Sequence, residues 1–352
     1  MSQATLEIDA PRRTATTMRA AVIKGPGEVD IKEVALPSPR VNEIRVRLEG
    51  CGVCASNIPP WEGREWFHYP MKPGQLGHEG WGVVDKVGEG VRTVGVGERV
   101  AFLSENSYAE YDVAADGSFV VLPDELGDQP FPAEPLGCAM NIFRRSEIQP
   151  GDTVAVVGIG FLGALLTRLA SDSGARVIAI SRRPWSLDLA RKMGAAQAIP
   201  MDDHWKIIEI VRQATSGSFC DVVIEAVGKQ WPLDLSAELT KERGRLVVAG
   251  YHQDGPRQVN MQLWNWRGLD VINAHERDPK LYLRGMQEAV DAVASGKLDP
   301  TPLHTHRFPL ERLGDALNMT KDRPDGFLKA LITSMPRQFQ SCMFTLRRPS
   351  WW

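Results

Sequence analysis

The chain has 352 residues, with 41 Lys and Arg against 44 Asp and Glu and a formal net charge of −3. This length predicts two domains, each large enough to bury a core without disulfides. The near-neutral charge gives no reason to expect a nucleic acid or an anionic membrane as a partner. No run of about 18 apolar residues is present, so no membrane-spanning helix is expected.

The two termini show no pattern of secondary structure. Residues 1–17 lack the apolar core of a signal peptide and contain acidic residues that are unusual in transit peptides, so we expect a flexible arm. Residues 336–352 are expected to form a disordered tail. The cysteines are odd in number and irregularly spaced, which favours a reducing, cytoplasmic location over a disulfide framework; they are Cys51, Cys54, Cys138, Cys220 and Cys342.

The first part of the chain has the pattern of an antiparallel β domain. Short apolar or alternating segments separated by glycine-rich turns predict strands and a barrel-like arrangement. The predicted strands are Ala20–Lys24, Glu43–Leu48, Trp81–Val87, Arg99–Leu103 and Tyr108–Val113. Helical periodicity begins near Ala139–Ser146 and ends at a turn signal over 149–152.

From Thr153 onward, strands alternate with helices, which predicts a parallel sheet covered on both faces. The strands are Val154–Val157, Arg176–Ile180, Val222–Ile224, Arg245–Ala249 and Val271–Ala274, and the helices are Leu162–Ser173, Pro184–Met193, Trp205–Ala214 and Pro279–Ser295. A strand at Thr305–Phe308 and a helix at Leu310–Met319 then return to the style of the first domain. We therefore expect a domain over 146–290 inserted into another formed by 18–145 and 291–335.

A Gly-x-Gly-x-x-Gly motif joins the first of these strands to its helix. Gly158 permits the tight turn, Gly160 allows a pyrophosphate to approach the backbone, and Gly163 allows the helix to pack closely on the strand. The amides at the helix start, around Phe161 and Leu162, are expected to face the phosphates. The motif predicts a dinucleotide site; the alternative is a glycine turn with only a packing role.

The residues after the strand at Arg176–Ile180 indicate which dinucleotide binds. An NAD-binding domain usually has an acidic residue here for the ribose 2′-hydroxyl. This chain has Ser181, Arg182 and Arg183 instead, and guanidinium groups bind phosphate well. The pattern favours NADP(H) over NAD(H), unless the two arginines only cap a solvated turn.

Several candidate metal ligands are spread over the first domain. Cys54 lies in the segment 50–57 that follows the predicted strand Glu43–Leu48, and His78 and Glu79 come about 20 residues later. Thiolate and imidazole are preferred zinc ligands, and a catalytic site needs three protein ligands and one open position. Glu134 or Cys138 is a further candidate ligand. A buried free cysteine and a hydrogen-bonded core histidine are the alternative interpretation.

Five segments together carry a resemblance to a known family: Gly50–Gly63 (GCGVCASNIPPWEG), Pro73–Gly90 (PGQLGHEGWGVVDKVGEG), Gly97–Val100 (GERV), Glu134–Gly163 and Asp325–Ile332 (DGFLKALI). From about Met18 to Ile332 the sequence resembles the medium-chain dehydrogenase/reductase superfamily, specifically its zinc-dependent alcohol and polyol dehydrogenase branch. The resemblance implies an α/β protein with a GroES-like antiparallel β-barrel catalytic domain and a Rossmann-fold coenzyme domain with a doubly wound parallel sheet.

The resemblance also implies roles for individual residues. Cys54 and His78 match two catalytic zinc ligands, and Glu79 matches an acid near or on the metal. Glu134 matches the glutamate that polyol dehydrogenases have where other alcohol dehydrogenases have a cysteine. Ser56 matches the hydroxyl that takes the substrate's proton. Whether Glu79 or Glu134 completes the zinc shell stays open.

Three departures from the family pattern are visible. Asn57 replaces an aspartate that usually hydrogen-bonds the zinc-bound histidine, which weakens or retunes the site. Pro59 replaces a histidine that relays the proton, so a relay through ribose hydroxyls or water is expected. The four-cysteine lobe of a structural zinc is absent, because only Cys51 and Cys54 precede Cys138. We therefore expect one catalytic zinc per chain, with Cys51 as a packed thiol.

Taken together, these features predict a zinc-dependent, NADP-preferring oxidoreductase that interconverts a secondary alcohol or polyol with its aldehyde or ketone. A zinc-free quinone or enoyl reductase of the same superfamily and a non-catalytic coenzyme-binding protein are the alternatives. The small-molecule substrate itself is not specified. A homodimer or homotetramer is expected, with Val271–Ala274 as a candidate edge strand.

Other residues have two interpretations. The aromatic segments 59–61, 66–69 and 264–266 either line an apolar pocket or pack loops. His252 and His275 follow strands, and a surface or packing role is expected for both.

Overall fold

The computed structural model of the protein describes residues 16–334. The predicted C-terminal tail and all but the last two residues of the predicted N-terminal arm lie outside the described residues. Within them, no helix is both long and apolar enough to cross a membrane.

A six-stranded sheet forms the centre of the coenzyme domain, and all of its strand pairs are parallel. Its strands are β8 (Thr153–Val157), β9 (Arg176–Ser181), β10 (Gln197–Pro200), β11 (Cys220–Glu225), β12 (Thr240–Val248) and β13 (Asp270–Asn273), in the order β10-β9-β8-β11-β12-β13. The strand order reverses at β8, and in such sheets ligands bind at the carboxyl ends of the strands beside the reversal. The predicted doubly wound sheet is confirmed.

Helices cover both faces of this sheet. They are α3 (Phe161–Asp172), α4 (Pro184–Lys192), α5 (His204–Ala214), α6 (Gln230–Leu239) and α7 (Met261–Arg267). Two separate hydrophobic clusters result, one containing Val154 and Val156 and the other containing Ala155 and Val157. Neighbouring residues of β8 thus enter opposite cores, because side chains alternate along a strand.

The catalytic domain is built from strands of both chain ends, and all but one of its strand pairs are antiparallel. A β1–β2 hairpin (Thr17–Gly25 and Glu28–Ala35) accompanies a seven-stranded sheet. The sheet contains β3 (Glu43–Val53), β4 (Gly80–Val87), β5 (Arg99–Phe102), β6 (Tyr111–Ala115), β7 (Phe119–Val121), β14 (His306–Phe308) and β15 (Ala330–Thr333). The last strand, β15, pairs with β3, so the C-terminal segment lies in the same sheet as the strands of the first part of the chain.

Four helices complete the described chain: α1 (Ile58–Glu62), α2 (Ala133–Ser146), α8 (Pro279–Ala294) and α9 (Leu313–Asp322). Helices α2 and α8 approach closely where two glycines face each other. A Cβ on Gly285 would lie 2.6 Å from the carbonyl oxygen of Gly137, so a larger residue would push the helices apart.

Some predicted boundaries were wrong. β3 continues to Val53, so residues 50–53 of the segment 50–57 belong to the strand, and only residues 54–57 follow it. Helix α2 begins at Ala133 and not near Ala139. The sequence did not show its first turn, because Glu134 and Pro135 interrupt the apolar periodicity there although both are buried. The predicted helix at Leu310–Met319 is a short 3₁₀ turn followed by α9.

Candidate functional site

The candidate metal ligands meet where β3 ends and β4 begins. Cys51 of β3 pairs with Gly80 of β4, which brings the residue after one strand beside the residues before the other. As a result, ligand atoms of Cys54, His78 and Glu79 all lie within 4.8 Å of one another. In the described part of the chain, this is the one group of three or more such side chains with that spacing.

The imidazole of His78 is oriented by a backbone carbonyl. Its Nδ1 lies 3.0 Å from the oxygen of Leu76, which leaves Nε2 available to a metal. Asn57 does not contact His78 directly; its amide donates to the same Leu76 oxygen at 3.0 Å. The Asn57 oxygen accepts a hydrogen bond from Tyr108 at 2.8 Å. Asn57 and His78 therefore share the Leu76 carbonyl as a hydrogen-bond partner. Asn57 can do this because its amide has an N–H donor, which an aspartate lacks.

Glu79 is completely buried and forms an ion pair with Lys329, which is 5% exposed. The Lys329 Nζ lies 2.5 Å from both carboxylate oxygens and donates to Oε1. The Oε2 atom has no hydrogen-bond partner among the described residues. A Cβ on Gly52 would lie 1.7 Å from Oε2, so only glycine leaves room for the carboxylate in this position.

Lys329 was missed from the sequence, although it interrupts an apolar run just before β15. Burial alone would lower the pKa of Lys329, but the negative charges of Glu79, Cys54 and Glu134 raise it overall. The lysine therefore stays charged inside the site. A lysine within an otherwise apolar, strand-like segment was the available signal.

Glu134 lies beside the cluster but outside its 4.8 Å limit. Tyr282 of α8 donates a hydrogen bond of 2.7 Å to its Oε1, and the Cys138 sulfur lies 3.4 Å from the same atom. Burial raises the pKa of Glu134, the charge of His78 opposes this, and the charge of Glu79 adds to it. Tyr282 was also missed, since nothing in the sequence connects α8 with α2.

The donor set fits zinc. It combines a thiol, an imidazole whose Nε2 is not bonded to the backbone and a buried carboxylate, with ligand atoms within 4.8 Å of one another. Burial alone would lower the pKa of His78, while the neighbouring Cys54 sulfur and the charges of Glu134 and Glu79 raise it well above its usual value. Ser56 is half-buried in the 3₁₀ turn that follows Cys54. Cys51 is buried in the core and outside the cluster.

The glycine motif has the geometry of a turn open to a ligand. Gly158 has a φ of +101°, which disfavours other residues. A Cβ on Gly163 would lie 1.9 Å from the carbonyl oxygen of Gly158, whereas a Cβ on Gly160 would have no atom within 4 Å. The first backbone bond of α3 runs from Ala164 to Gly160, so the amides before Ala164 have no acceptor within the helix.

Lys329 connects this turn with the ligand cluster. Its Nζ lies 5.1 Å from the centre of the Phe161 ring, at the start of α3. The ring of His304 is also stacked on it, at 5.8 Å with an interplanar angle of 17°. The glycine turn and the ligand cluster are thus both in contact with one lysine. His304 was not identified as a site residue from the sequence.

The residues after β9 are placed differently from one another. Ser181 is buried at the strand end, Arg182 is exposed and Arg183 is half-buried. The Arg183 Nη1 donates to the carbonyl of Phe327 in the catalytic domain at 2.6 Å. Arg183 therefore connects the two domains through a hydrogen bond and is not only a cap of a solvated turn.

The aromatic segments do not form one pocket. Trp61 is 3% exposed and donates to Asn318 of α9 at 2.8 Å, which is a packing role. Trp66 is largely exposed, and Trp266 is an exposed residue of α7 in the other domain.

The two histidines after strands also have structural contacts. His252 lies 2.9 Å from buried Glu225 and accepts a 2.9 Å bond from Arg257. The ring of His275 lies 5.4 Å from that of Tyr251.

Comparison with known proteins agrees with this architecture. The model of the alcohol dehydrogenase GroES-like domain matches residues 40–124, and that of the zinc-binding dehydrogenase family matches residues 162–293. The chain is 26% identical to sorbitol dehydrogenase of Halalkalibacterium halodurans, over 88% of this chain and 96% of the relative.

Two solved structures share the fold. One is a candidate zinc-binding dehydrogenase from Sinorhizobium meliloti 1021 bound to NADP, and the other is the short chain alcohol dehydrogenase rspB from Escherichia coli CFT073 in complex with NADH. Each has a TM-score of 0.80 and 24% identity, and the match covers 91% of this chain and 100% of the solved one. The chain therefore combines a GroES-like domain that carries a Cys-His-Glu cluster with a parallel sheet of the coenzyme-binding type. It belongs to the zinc-dependent alcohol and polyol dehydrogenase branch of the medium-chain dehydrogenase/reductase superfamily.

Proposed function

We propose that the protein is a zinc-dependent, NADP-preferring oxidoreductase that interconverts a secondary alcohol or polyol with its aldehyde or ketone. The observation that carries this proposal is the position of Lys329, which contacts Glu79 of the ligand cluster and the Phe161 ring beside the glycine motif. A metal-bound substrate and a dinucleotide would therefore be neighbours. The sorbitol dehydrogenase relative supports a polyol as the substrate class.

In this proposal, Cys54, His78 and Glu79 hold one catalytic zinc per chain. When bound, zinc supplies a Lewis acid to the substrate oxygen, and the nicotinamide supplies or accepts the hydride. Ser56, two residues after Cys54, takes the hydroxyl proton. Glu134 stays beside the cluster, held by Tyr282, and its raised pKa suits a group that exchanges a proton with the site.

The pyrophosphate binds at the open turn of Gly158, Gly160 and Gly163 and at the free amides around Phe161 and Leu162. For the adenosine ribose, the absence of an acid at Ser181 and the presence of Arg182 and Arg183 favour a 2′-phosphate. The ratio of kcat/KM for NADPH and NADH tests this preference. Ser181→Asp is expected to reverse it, because a carboxylate repels the phosphate, and a wild-type preference for NADH would contradict it.

Metal analysis tests the centre of the proposal. Protein purified without added metal is expected to contain one zinc per chain, and Cys54→Ser is expected to lose both the zinc and NADPH oxidation with ketones. Cys220→Ser is the matched control, because Cys220 is a buried thiol of the coenzyme domain outside the cluster. Absence of zinc in a protein that still binds NADPH would point to a zinc-free reductase or a non-catalytic protein.

A dimer or tetramer remains part of the proposal. β13 pairs only with β12 in the described sheet and leaves one strand edge available to another chain. Light scattering of the full chain would distinguish the two assemblies from a monomer.

A further inference from the structure

A network of hydrogen bonds joins the two chain segments that follow β11 and β12. These segments, 226–229 and 249–258, leave the sheet at its carboxyl edge, next to the reversal at β8. In sheets of this kind, ligands bind in the crevice at that edge. The first segment also touches the glycine turn, because a Cβ on Gly158 would lie 2.4 Å from Cγ2 of Val227. The network therefore lies beside the coenzyme crevice.

Glu225, the last residue of β11, is the centre of this network. Its side chain is completely buried, and Oε1 accepts hydrogen bonds of 2.8 Å from the amides of Val227 and Gly228. Its backbone carbonyl accepts bonds from the amides of Ala249, at 2.8 Å, and Gly250, at 2.7 Å. One residue thus holds the beginnings of both segments.

His252 joins the other carboxylate oxygen of Glu225 to Arg257. The Nε2 of His252 lies 2.9 Å from Oε2 of Glu225, and its Nδ1 accepts a 2.9 Å bond from Nε of Arg257. Because a guanidinium group has only donors, Nδ1 carries no proton, and the Nε2–H group donates to the carboxylate. The bridge therefore requires a neutral imidazole with its proton on Nε2.

Arg257 closes the network. Its Nη2 donates to the carbonyl of Gly228 at 2.9 Å and pairs with Asp254, which also pairs with Lys229. The end of the second segment is thus bonded back to the first. Through one neutral ring, the buried negative charge of Glu225 is linked to a positive charge, which a buried charge needs.

The two segments also pack so closely that only glycine fits at their contact. A Cβ on Gly250 would lie 2.2 Å from the amide nitrogen of Gly228 and 2.6 Å from Oε2 of Glu225. A Cβ on Gly228 would lie 2.6 Å from the carbonyl oxygen of Tyr251. A shift of one segment therefore moves the other.

We propose that His252 is a positioning residue for the nicotinamide half of the coenzyme, and that it acts by holding the segments 226–229 and 249–258 in one geometry. This inference rests on the proposed function, in which the pyrophosphate lies at the glycine turn and the adenosine ribose lies beyond β9, on one side of β8. The other half of the dinucleotide then extends along the opposite side, past the ends of β11 and β12. His252 acts there through Glu225 and Arg257.

Binding to the full-length protein tests this role. Calorimetry compares NADPH with 2′-phospho-ADP-ribose, which lacks the nicotinamide ring. His252→Leu removes both hydrogen bonds of the imidazole, so it is expected to weaken NADPH by about tenfold and 2′-phospho-ADP-ribose by less than about twofold.

His252→Gln is the rescue variant. Its amide nitrogen can donate to Glu225 and its amide oxygen can accept from Arg257, as the neutral imidazole does. Both affinities are therefore expected to stay within about twofold of the wild-type values. A role in packing alone would not be restored by a polar side chain of different shape.

Arg257→Met and Arg267→Met form a matched pair. The two side chains are 15% and 17% exposed, and each binds backbone carbonyls and one carboxylate. Arg267, however, binds the carbonyl of Thr240 at the start of β12, at the opposite edge of the sheet. Arg257→Met is expected to weaken NADPH as His252→Leu does, and Arg267→Met is expected to leave its affinity unchanged.

Three results would overturn the inference: wild-type affinity for NADPH in His252→Leu, equal weakening in the leucine and glutamine variants, or equal weakening of NADPH and 2′-phospho-ADP-ribose. Repeating the titrations with NADH and ADP-ribose separates this role from the coenzyme preference. The same selective weakening of NADH supports the role of His252 even if the wild-type protein prefers NADH. A wild-type protein that binds neither dinucleotide would reject the proposed function and this inference with it.

Discussion

The buried pair of Glu79 and Lys329 leads to a quantitative prediction for Lys329→Met. At 2.5 Å, the Coulomb attraction is about 7 kcal/mol for an effective dielectric constant of about 20. Much of this offsets the cost of removing both charges from water. Methionine keeps the volume but leaves the carboxylate of Glu79 buried without its cation. We therefore expect a loss of about 3–5 kcal/mol in the free energy of unfolding.

Urea denaturation of the zinc-depleted protein measures this loss. Glu79→Gln and the double variant complete a mutant cycle, and we expect the double variant to be more stable than the sum of the single losses implies. The matched control is Lys24→Met, which breaks the exposed Lys24–Asp30 pair at 3.0 Å. That change is expected to cost far less than Lys329→Met, because water screens an exposed pair.

Zinc changes the expected result in a defined direction. A cation held by Glu79 replaces part of the lost positive charge, so the penalty of Lys329→Met is expected to be smaller with zinc than without it. The reasoning would be refuted if Lys329→Met cost no more than Lys24→Met in zinc-depleted protein, or if the cycle were additive.

Three further predictions concern single positions. Gly163→Ala is expected to lower the unfolding midpoint, because the new Cβ would lie 1.9 Å from a carbonyl oxygen. Gly160→Ala is expected to leave the unfolding midpoint unchanged and to weaken NADPH binding. Equal unfolding midpoints of the two variants would contradict this. Burial lowers the pKa of His304 to about 4, below the value of about 6.5 in an unfolded chain. The unfolded state therefore binds the proton first as pH falls, and about 3 kcal/mol of stability is lost between about pH 6.5 and pH 4. His304→Leu is expected to remove this dependence of the unfolding free energy on pH. The same pH dependence in both proteins would disprove it. Asn57→Asp removes the hydrogen bond that the amide donates to the Leu76 carbonyl and places a carboxylate against that carbonyl. Urea denaturation is therefore expected to show a loss of about 1–3 kcal/mol in the free energy of unfolding. Unaltered stability would mean that the Asn57 amide does not donate to Leu76.

Local patterns predicted several elements that bury their own apolar residues, although α6, which buries Leu233, Leu235 and Leu239, was not predicted. The apolar run Arg176–Ile180 is observed as β9, Arg176–Ser181, because four consecutive buried residues leave a clear signal. Hairpin strand β2 and edge strand β10 were not predicted. β2 has no buried residue, and β10 has only four residues and ends at Pro200. Such strands depend on pairing with a neighbour, which a local pattern does not contain.

The candidate site divides in the same way. The sequence by itself determined the domain order, the glycine motif and the chemical types of Cys54, His78 and Ser181, since these follow from local spacing and from the family resemblance. Only the tertiary structure decided that Lys329 pairs with Glu79, 250 residues away along the chain, and that Arg183 contacts Phe327. A buried charge needs a partner, but composition does not say which one. The return of β15 to β3 brings the partners together, and that pairing is set by the packing of both chain ends into one domain.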